Sequence, residues 1–125
     1  MTKQEVNDFA KLLVQQVRDI AIKNSDGQLY ATNLKSPTAK RWREAEDKMD
    51  IKALGEMIIA DTVDETIAYF LDAIDNGVFN ISYNLPDGKT INVTGEIIGE
   101  LVGWYLGEWR SEYSKQRCID DFPDL

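Results

Sequence analysis

Apolar residues recur at three- and four-residue steps from Lys3 to about Lys23, with Val6, Phe9, Leu13, Val17 and Ile20 on one stripe. That spacing predicts an amphipathic helix, and the polar, glycine-bearing run Asn24-Ser25-Asp26-Gly27 is expected to end it. Leu29 to Lys35 has no clear period and reads as a loop or short strand. Ser36-Pro37 reads as an N-cap followed by proline at the first helical position, opening a short helix with Trp42, Ala45 and Met49 on one face. A further helical run carries Ile51, Leu54, Ile58 and Ile59 up to Thr62-Val63-Asp64-Glu65. These four residues have the form of a capping box, so a helix is expected to restart there. It should bury Ile67, Phe70, Leu71 and Ile74 and stop at Asn76-Gly77, where glycine supplies a left-handed C-cap.

After Gly77 the period changes to two. Phe79, Ile81, Tyr83 and Leu85 alternate with Asn80, Ser82 and Asn84; after Pro86-Asp87-Gly88, Ile91 and Val93 alternate with Thr90, Asn92 and Thr94. This predicts an antiparallel hairpin near residues 78–94 with its apolar face against the helices and its uncharged polar face in solvent. A lone hairpin is marginal in water, so the helices must cover it.

From Gly95 to about Gln116 the pattern is helical again. Steps of four place Ile97, Leu101, Tyr105, Trp109 and Tyr113 in one row beside Ile98, Val102 and Leu106, the expected core face. Gly95, Gly99, Gly103 and Gly107 form a second row. Interior glycines each cost a helix about 1 kcal/mol relative to alanine. They therefore imply either a groove where another backbone approaches closely, or a bend near Gly103 or Gly107. The last row is Glu96, Glu100, Trp104, Glu108 and Glu112, four carboxylates around one indole. Ile119 and Phe122 are expected to anchor the segment that follows. The 125 residues are read as one α+β domain, mostly helical, with four to five helices and one hairpin.

Composition narrows the chemistry. Cys118 is the single cysteine and histidine is absent. These facts exclude an intramolecular disulfide, a thiolate zinc cage, imidazole metal sites and the usual histidine-dependent nucleophiles. Neither a signal peptide nor a membrane span is recognisable, so a soluble chain in the cytoplasm is expected, consistent with a lone thiol. The net charge is -8. Through Thr62 there are 10 basic and 10 acidic residues, and from Val63 onward 4 against 12, so the second half carries all of the net charge. Such a field repels a phosphate backbone and accelerates association with a basic protein, so direct nucleic-acid binding is not expected.

Two constellations besides the glutamate row invite chemistry. Asp61, Asp64 and Glu65 lie one helical turn apart, and Asp72 with Asp75 repeats the spacing further on. Helix-borne acids can hold Mg²⁺ or Mn²⁺ for hydrolysis, and this pattern resembles the acidic helices of the all-α nucleotide pyrophosphatases. The resemblance would make the chain a metal-dependent hydrolase. The hairpin, however, has no place in that architecture, no basic phosphate clamp lies nearby, and Glu65 is engaged by the expected capping box. Arg41, Trp42 and Arg43, with Lys35 and Lys40, form the one basic cluster, but Glu44, Glu46 and Asp47 follow at once and cancel its field. Trp42 reads as core, and the cluster is also compatible with a homodimer, meeting the acidic half of a second copy.

The favoured reading is a non-enzymatic binding protein without cofactor, such as a bacterial immunity protein that neutralises a basic toxin domain. Glu96, Glu100, Trp104, Glu108 and Glu112 would form its partner-binding face. A metal-dependent hydrolase using Asp61, Asp64, Glu65, Asp72 and Asp75 is the alternative. An exposed Trp104 separates the binding reading from that of a plain solvated face, since both expect exposed glutamates.

Overall fold

The first helix opens on a capping box. Thr2 Oγ1 accepts from the Glu5 amide at 3.2 Å, and Glu5 returns a carboxylate oxygen to the Thr2 amide at 2.9 Å. The computed structural model describes residues 2–30, 35–93 and 100–118. From this cap the helical segments Lys3–Leu13, Val14–Arg18 and Asp19–Leu29 run as one rod, here α1, the middle segment being a π turn. The extra residue of a π turn shifts the phase of everything after it. Beyond Val17 the buried positions are Ala21 and Gln28, while Ile20 is exposed, as are Val6 and Phe9 before the turn. Asn24-Ser25-Asp26-Gly27 does not stop the helix, contrary to expectation. Asn24, Ser25 and Gln28 instead donate from its flank to Glu65 across the helix interface.

Helix α2, Pro37–Glu46, begins as its sequence predicts, with Ser36 Oγ accepting from the Ala39 amide at 3.3 Å and proline in the first turn. Trp42 and Ala45 are buried; Met49 lies beyond the helix and is exposed. Helix α3, Ile51–Asp75, is continuous. Its cap is Asp50, which accepts from the Ala53 amide at 2.8 Å. The restart expected at Thr62-Val63-Asp64-Glu65 does not occur, because the helix is already established upstream and Glu65 is drawn to α1. The C-terminus is as predicted, with Gly77 at φ 76°. Ile74 is buried and Phe70 and Leu71 pack on the core, whereas Ile67 remains exposed.

Strands β1, Ser82–Asn84, and β2, Thr90–Asn92, pair antiparallel with Tyr83 opposite Ile91, and Gly88 turns the chain at φ 88°. The expected faces are correct at most positions: Phe79 is buried, Ile81, Ile91 and Val93 are half-buried, and Asn80, Ser82, Asn84, Thr90 and Asn92 are exposed. Tyr83 is the exception at 57% exposed. Only the hairpin's base, through Phe79, Ile81 and Val93, joins the core cluster. Thr94 lies outside the described residues.

Helix α4 comprises Leu101–Trp104, a π turn at Tyr105–Trp109, and Arg110–Tyr113. Helix α3 is the hub, packing on α1, α2 and α4. The main core gathers Val17, Ala73, Ile74, Phe79 and Leu101, with Phe79 stacked against Phe9 and Phe70 at centroid distances of 5.4 and 5.8 Å. The described residues thus form a mostly helical α+β arrangement with one two-stranded sheet. No helix among them is long and apolar enough to cross a membrane.

Candidate functional site

The start of α4 is tied to the end of α3. The Leu101 amide, otherwise an orphan donor of the first turn, donates to Asp75 Oδ1 at 3.4 Å. The π turn that follows contains Gly107, and a side chain there or at Gly103 would meet nothing within 4 Å. The expected glycine groove is therefore not built at these two positions, and the compensation is the alternative one, a helix distorted at Gly107. Gly95 and Gly99 lie outside the described residues. Leu101 and Leu106 are buried as expected, Arg110 is buried four residues after Leu106 in the same row, and Tyr113, expected in the core, is exposed.

Of the glutamate row, Glu100, Glu108 and Glu112 are exposed and Trp104 is 36% exposed. Glu96, with Ile97 and Ile98, lies outside the described residues. Trp104 leans on Trp109, ring centroids 5.9 Å apart and tilted by 59°. One side of the indole is thus backed by a second aromatic ring while part of it meets solvent. A tilted ring pair of this kind restricts the rotation of the indole.

Trp109 also lines an open groove of about 640 Å³ between α3 and α4. One wall is the α3 ridge Ile59, Val63 and Ile67, all exposed, spaced one turn apart. The other is Tyr105, Trp109 and Tyr113. Its floor holds a three-membered network that the chain's local spacing does not reveal. Tyr105 Oη donates to Asp64 Oδ1 at 2.8 Å, and Arg110 Nη1 donates to Asp64 Oδ2 at 2.7 Å while its Nε donates to the Leu106 carbonyl at 3.1 Å. Burial raises the Tyr105 hydroxyl's pKa, and its hydrogen bond to Asp64 and that carboxylate's charge raise it further, against the opposing pull of Arg110. Tyr105 is thus held as a neutral donor, unsuited to act as a base near neutral pH.

The acids of the metal alternative are placed apart. Asp61 accepts from Trp42 Nε1 at 2.6 Å and pairs with Arg41 at 2.8 Å. Asp64 serves Tyr105 and Arg110, and Glu65 serves Asn24, Ser25 and Gln28. Asp72 is exposed, and Asp75 meets the start of α4. Among the described residues no three acidic or cysteine side chains converge on a point where a metal ion could sit. The Glu65 carboxyl is shifted upward, chiefly by burial and slightly by the Asp61 charge, against the lowering effect of its three donors.

Arg41, Trp42 and Arg43 of the basic cluster are likewise engaged within the fold, while Lys35 and Lys40 are exposed. Trp42 is 1% exposed, Arg41 is paired with Asp61, and Arg43 pairs with Glu46 at 3.0 Å. No single-strand stacking platform is left at Trp42. Comparison with protein-family models, with curated proteins and with solved structures finds no match to this chain.

Proposed function

We propose that this chain is a non-enzymatic binding protein that recognises a basic protein through α4. Trp104 carries the reading: a tryptophan one-third exposed, backed by Trp109, on the same short helix as the exposed acids Glu108 and Glu112, with exposed Glu100 at the helix N-cap. Glu96, a member of the row as read from the sequence, lies outside the described residues. Anchors of this kind dominate binding energy when a partner excludes water around them, and charges at the rim steer the encounter. The net charge of -8, all of it accruing after Thr62, selects a basic partner and disfavours a nucleic acid. An immunity protein that neutralises a basic toxin is the specific form of this function that we favour.

A pull-down from the native host supplies the partner, and surface-binding kinetics then test the face. Glu100→Lys with Glu108→Lys should slow association, most clearly at low salt. Trp104→Ala should speed dissociation and cost about 2 kcal/mol or more if the indole is a hot spot. Circular dichroism should show both variants folded. Unchanged rates in both would make the row an ordinary solvated face. A melting temperature raised by Mg²⁺ or Mn²⁺, and no longer raised in Asp72→Asn, would favour the hydrolase alternative instead.

A further inference from the structure

Helix α3 carries an apolar ridge along its outer side. Ile51, Gly55, Ile59, Val63 and Ile67 follow one another at steps of four, the spacing of an i±4 ridge on a helix surface. The four aliphatic members are exposed, and three of them form the α3 wall of the groove. That exposure is of the whole chain; the expected anchors Ile119 and Phe122 lie outside the described residues. At Gly55, in the helix interior, an added Cβ would meet nothing within 4 Å. Glycine is unfavourable there relative to alanine, and none of the described residues packs into the space beside it. The acids of the same span are turned elsewhere, Asp61 to α2, Asp64 to α4 and Glu65 to α1. The result is an uncharged apolar ridge on a chain of net charge -8, and contiguous apolar surface of this kind marks an association site.

We propose that α3 is the two-fold interface of a homodimer, the ridge of one copy crossing that of a second, antiparallel copy at Ile59. The ridge is its own complement. Ile59 is its midpoint, so an antiparallel crossing sets Ile51 against Ile67 and the open side of Gly55 against Val63. The exposed charges of the span agree, because Lys52 falls opposite Thr66 and Glu56 opposite Thr62. A parallel crossing would leave a gap between two copies of Gly55. It would also bring Lys52 onto Lys52 and Glu56 onto Glu56, and opposed like charges are unfavourable. The contact is isologous and closes at two copies, unlike a head-to-tail contact through the basic cluster, and it does not depend on the Trp104 face. Area sets its strength. Ile51, Ile59, Val63 and Ile67 are 85%, 59%, 52% and 36% exposed, and Tyr113 on the facing wall 72%. At about 100 Å² for a whole aliphatic side chain and about 200 Å² for an aromatic one, they offer roughly 400 Å² of apolar surface per copy. With an apolar share of about 60%, the interface covers roughly 650 Å² on each copy, near the lower bound for a specific pair. Dimerisation is therefore expected in the micromolar range.

Sedimentation equilibrium of the full chain from about 5 to 500 µM tests it. The mass should rise from 14.2 kDa towards twice that value, and a monomer throughout would overturn the proposal. Two variants locate the contact, with circular dichroism confirming that each is folded. Ile59→Glu places like charges at the crossing. Gly55→Leu adds apolar surface to the monomer but fills the space that Val63 of the second copy needs. Each should weaken dimerisation by about tenfold or more; dimerisation unchanged in either, or strengthened by Gly55→Leu, would overturn the proposal. Disulfide trapping in a Cys118→Ser background reports the orientation. Helices packed about 8–10 Å apart, with Cα atoms about 2.3 Å from each axis, bring the two Cα atoms at the crossing to about 5 Å, within disulfide reach. An antiparallel crossing holds the two copies of residue 51 about 20 Å apart. Under mild oxidation Ile59→Cys should therefore give a covalent dimer and Ile51→Cys should not. Closure at position 51 as fast as at position 59 would overturn the antiparallel crossing and the proposal with it.

Discussion

Replacing Asp61 with alanine should be among the most costly single changes available in this protein. Its carboxylate fills the buried junction of α2 and α3, taking the Trp42 indole N–H at 2.6 Å on one oxygen and the Arg41 guanidinium at 2.8 Å on the other. Trp42 is 1% exposed, so no water can replace the lost acceptor without repacking. An unsatisfied buried donor costs about 1–3 kcal/mol, and breaking a buried ion pair from one side costs about 3–5 kcal/mol in all. The Arg41 side chain keeps 18% of its surface in solvent, which places the expected loss near the lower end, about 3 kcal/mol. At about 2.1 cal/mol/K per residue, the unfolding entropy of 125 residues is about 0.26 kcal/mol/K, so the midpoint should fall by roughly 11 °C. Asp61→Asn retains a carbonyl for the indole and should cost about half as much. Thermal and urea unfolding followed by circular dichroism provide the assay, with Trp42→Phe closing a double-mutant cycle. A midpoint for Asp61→Ala within 2 °C of the parent would show that the junction is not the keystone described.

Two further outcomes are expected. Thr2→Ala removes a formed capping box and should cost about 1 kcal/mol, whereas Thr62→Ala, in the interior of α3, should change stability by less than about 0.5 kcal/mol; equal losses in urea unfolding would contradict the helix boundaries. The Glu65 carboxyl titrates above its ordinary value of 4.5 in the folded protein, so its contribution to stability is fully present below that pH and is lost as pH rises through the folded value. Glu65→Gln should therefore flatten the decline attributable to this group as pH rises above about 4.5, and a difference curve between variant and parent that stays level as pH rises from there would refute the assignment.

Local signals in the chain were legible where their partners were also local. Ser36-Pro37, Asn76-Gly77 and Pro86-Asp87-Gly88 each act within four residues, and each does in the structure what its chemistry implies. The Thr-x-x-Glu pattern shows where this stops. It occurs at Thr2 and again at Thr62, and only the first caps a helix. Nothing inside the second tetrapeptide announces that Asn24, Ser25 and Gln28, some forty residues earlier, will claim Glu65. The same competition explains why Asn24-Ser25-Asp26-Gly27 fails to stop α1: polar residues that suggest a turn are there as donors to a neighbouring helix. The two π turns escaped notice for a related reason. A periodicity count assumes a constant 100° per residue, and one inserted residue shifts every later position. Tyr113, placed in the core by steps of four, is in solvent, whereas Arg110, four residues after Leu106, is buried in the row that Leu106 belongs to.

The candidate site divides along the same line. That Glu100, Glu108 and Glu112 would be exposed follows from charge alone, because an unpaired carboxylate is expensive to bury. The five acids weighed as metal ligands are equally charged, yet Asp61 is buried and Asp64 and Glu65 are partly so, because each found a donor on another element. Sequence spacing could place Asp61, Asp64 and Glu65 within one turn of a helix but not show that they diverge. On a helix, residues three and four apart share a face, whereas Asp61 and Asp64 reach different neighbours, α2 and α4, and Glu65 reaches α1. Three acids in one turn here serve as three separate clasps, one for each helix packed around α3. Their clustering in sequence reflects the centrality of α3 in the fold, and an acidic cluster on the hub helix of any small helical domain is open to the same explanation before a metal is invoked.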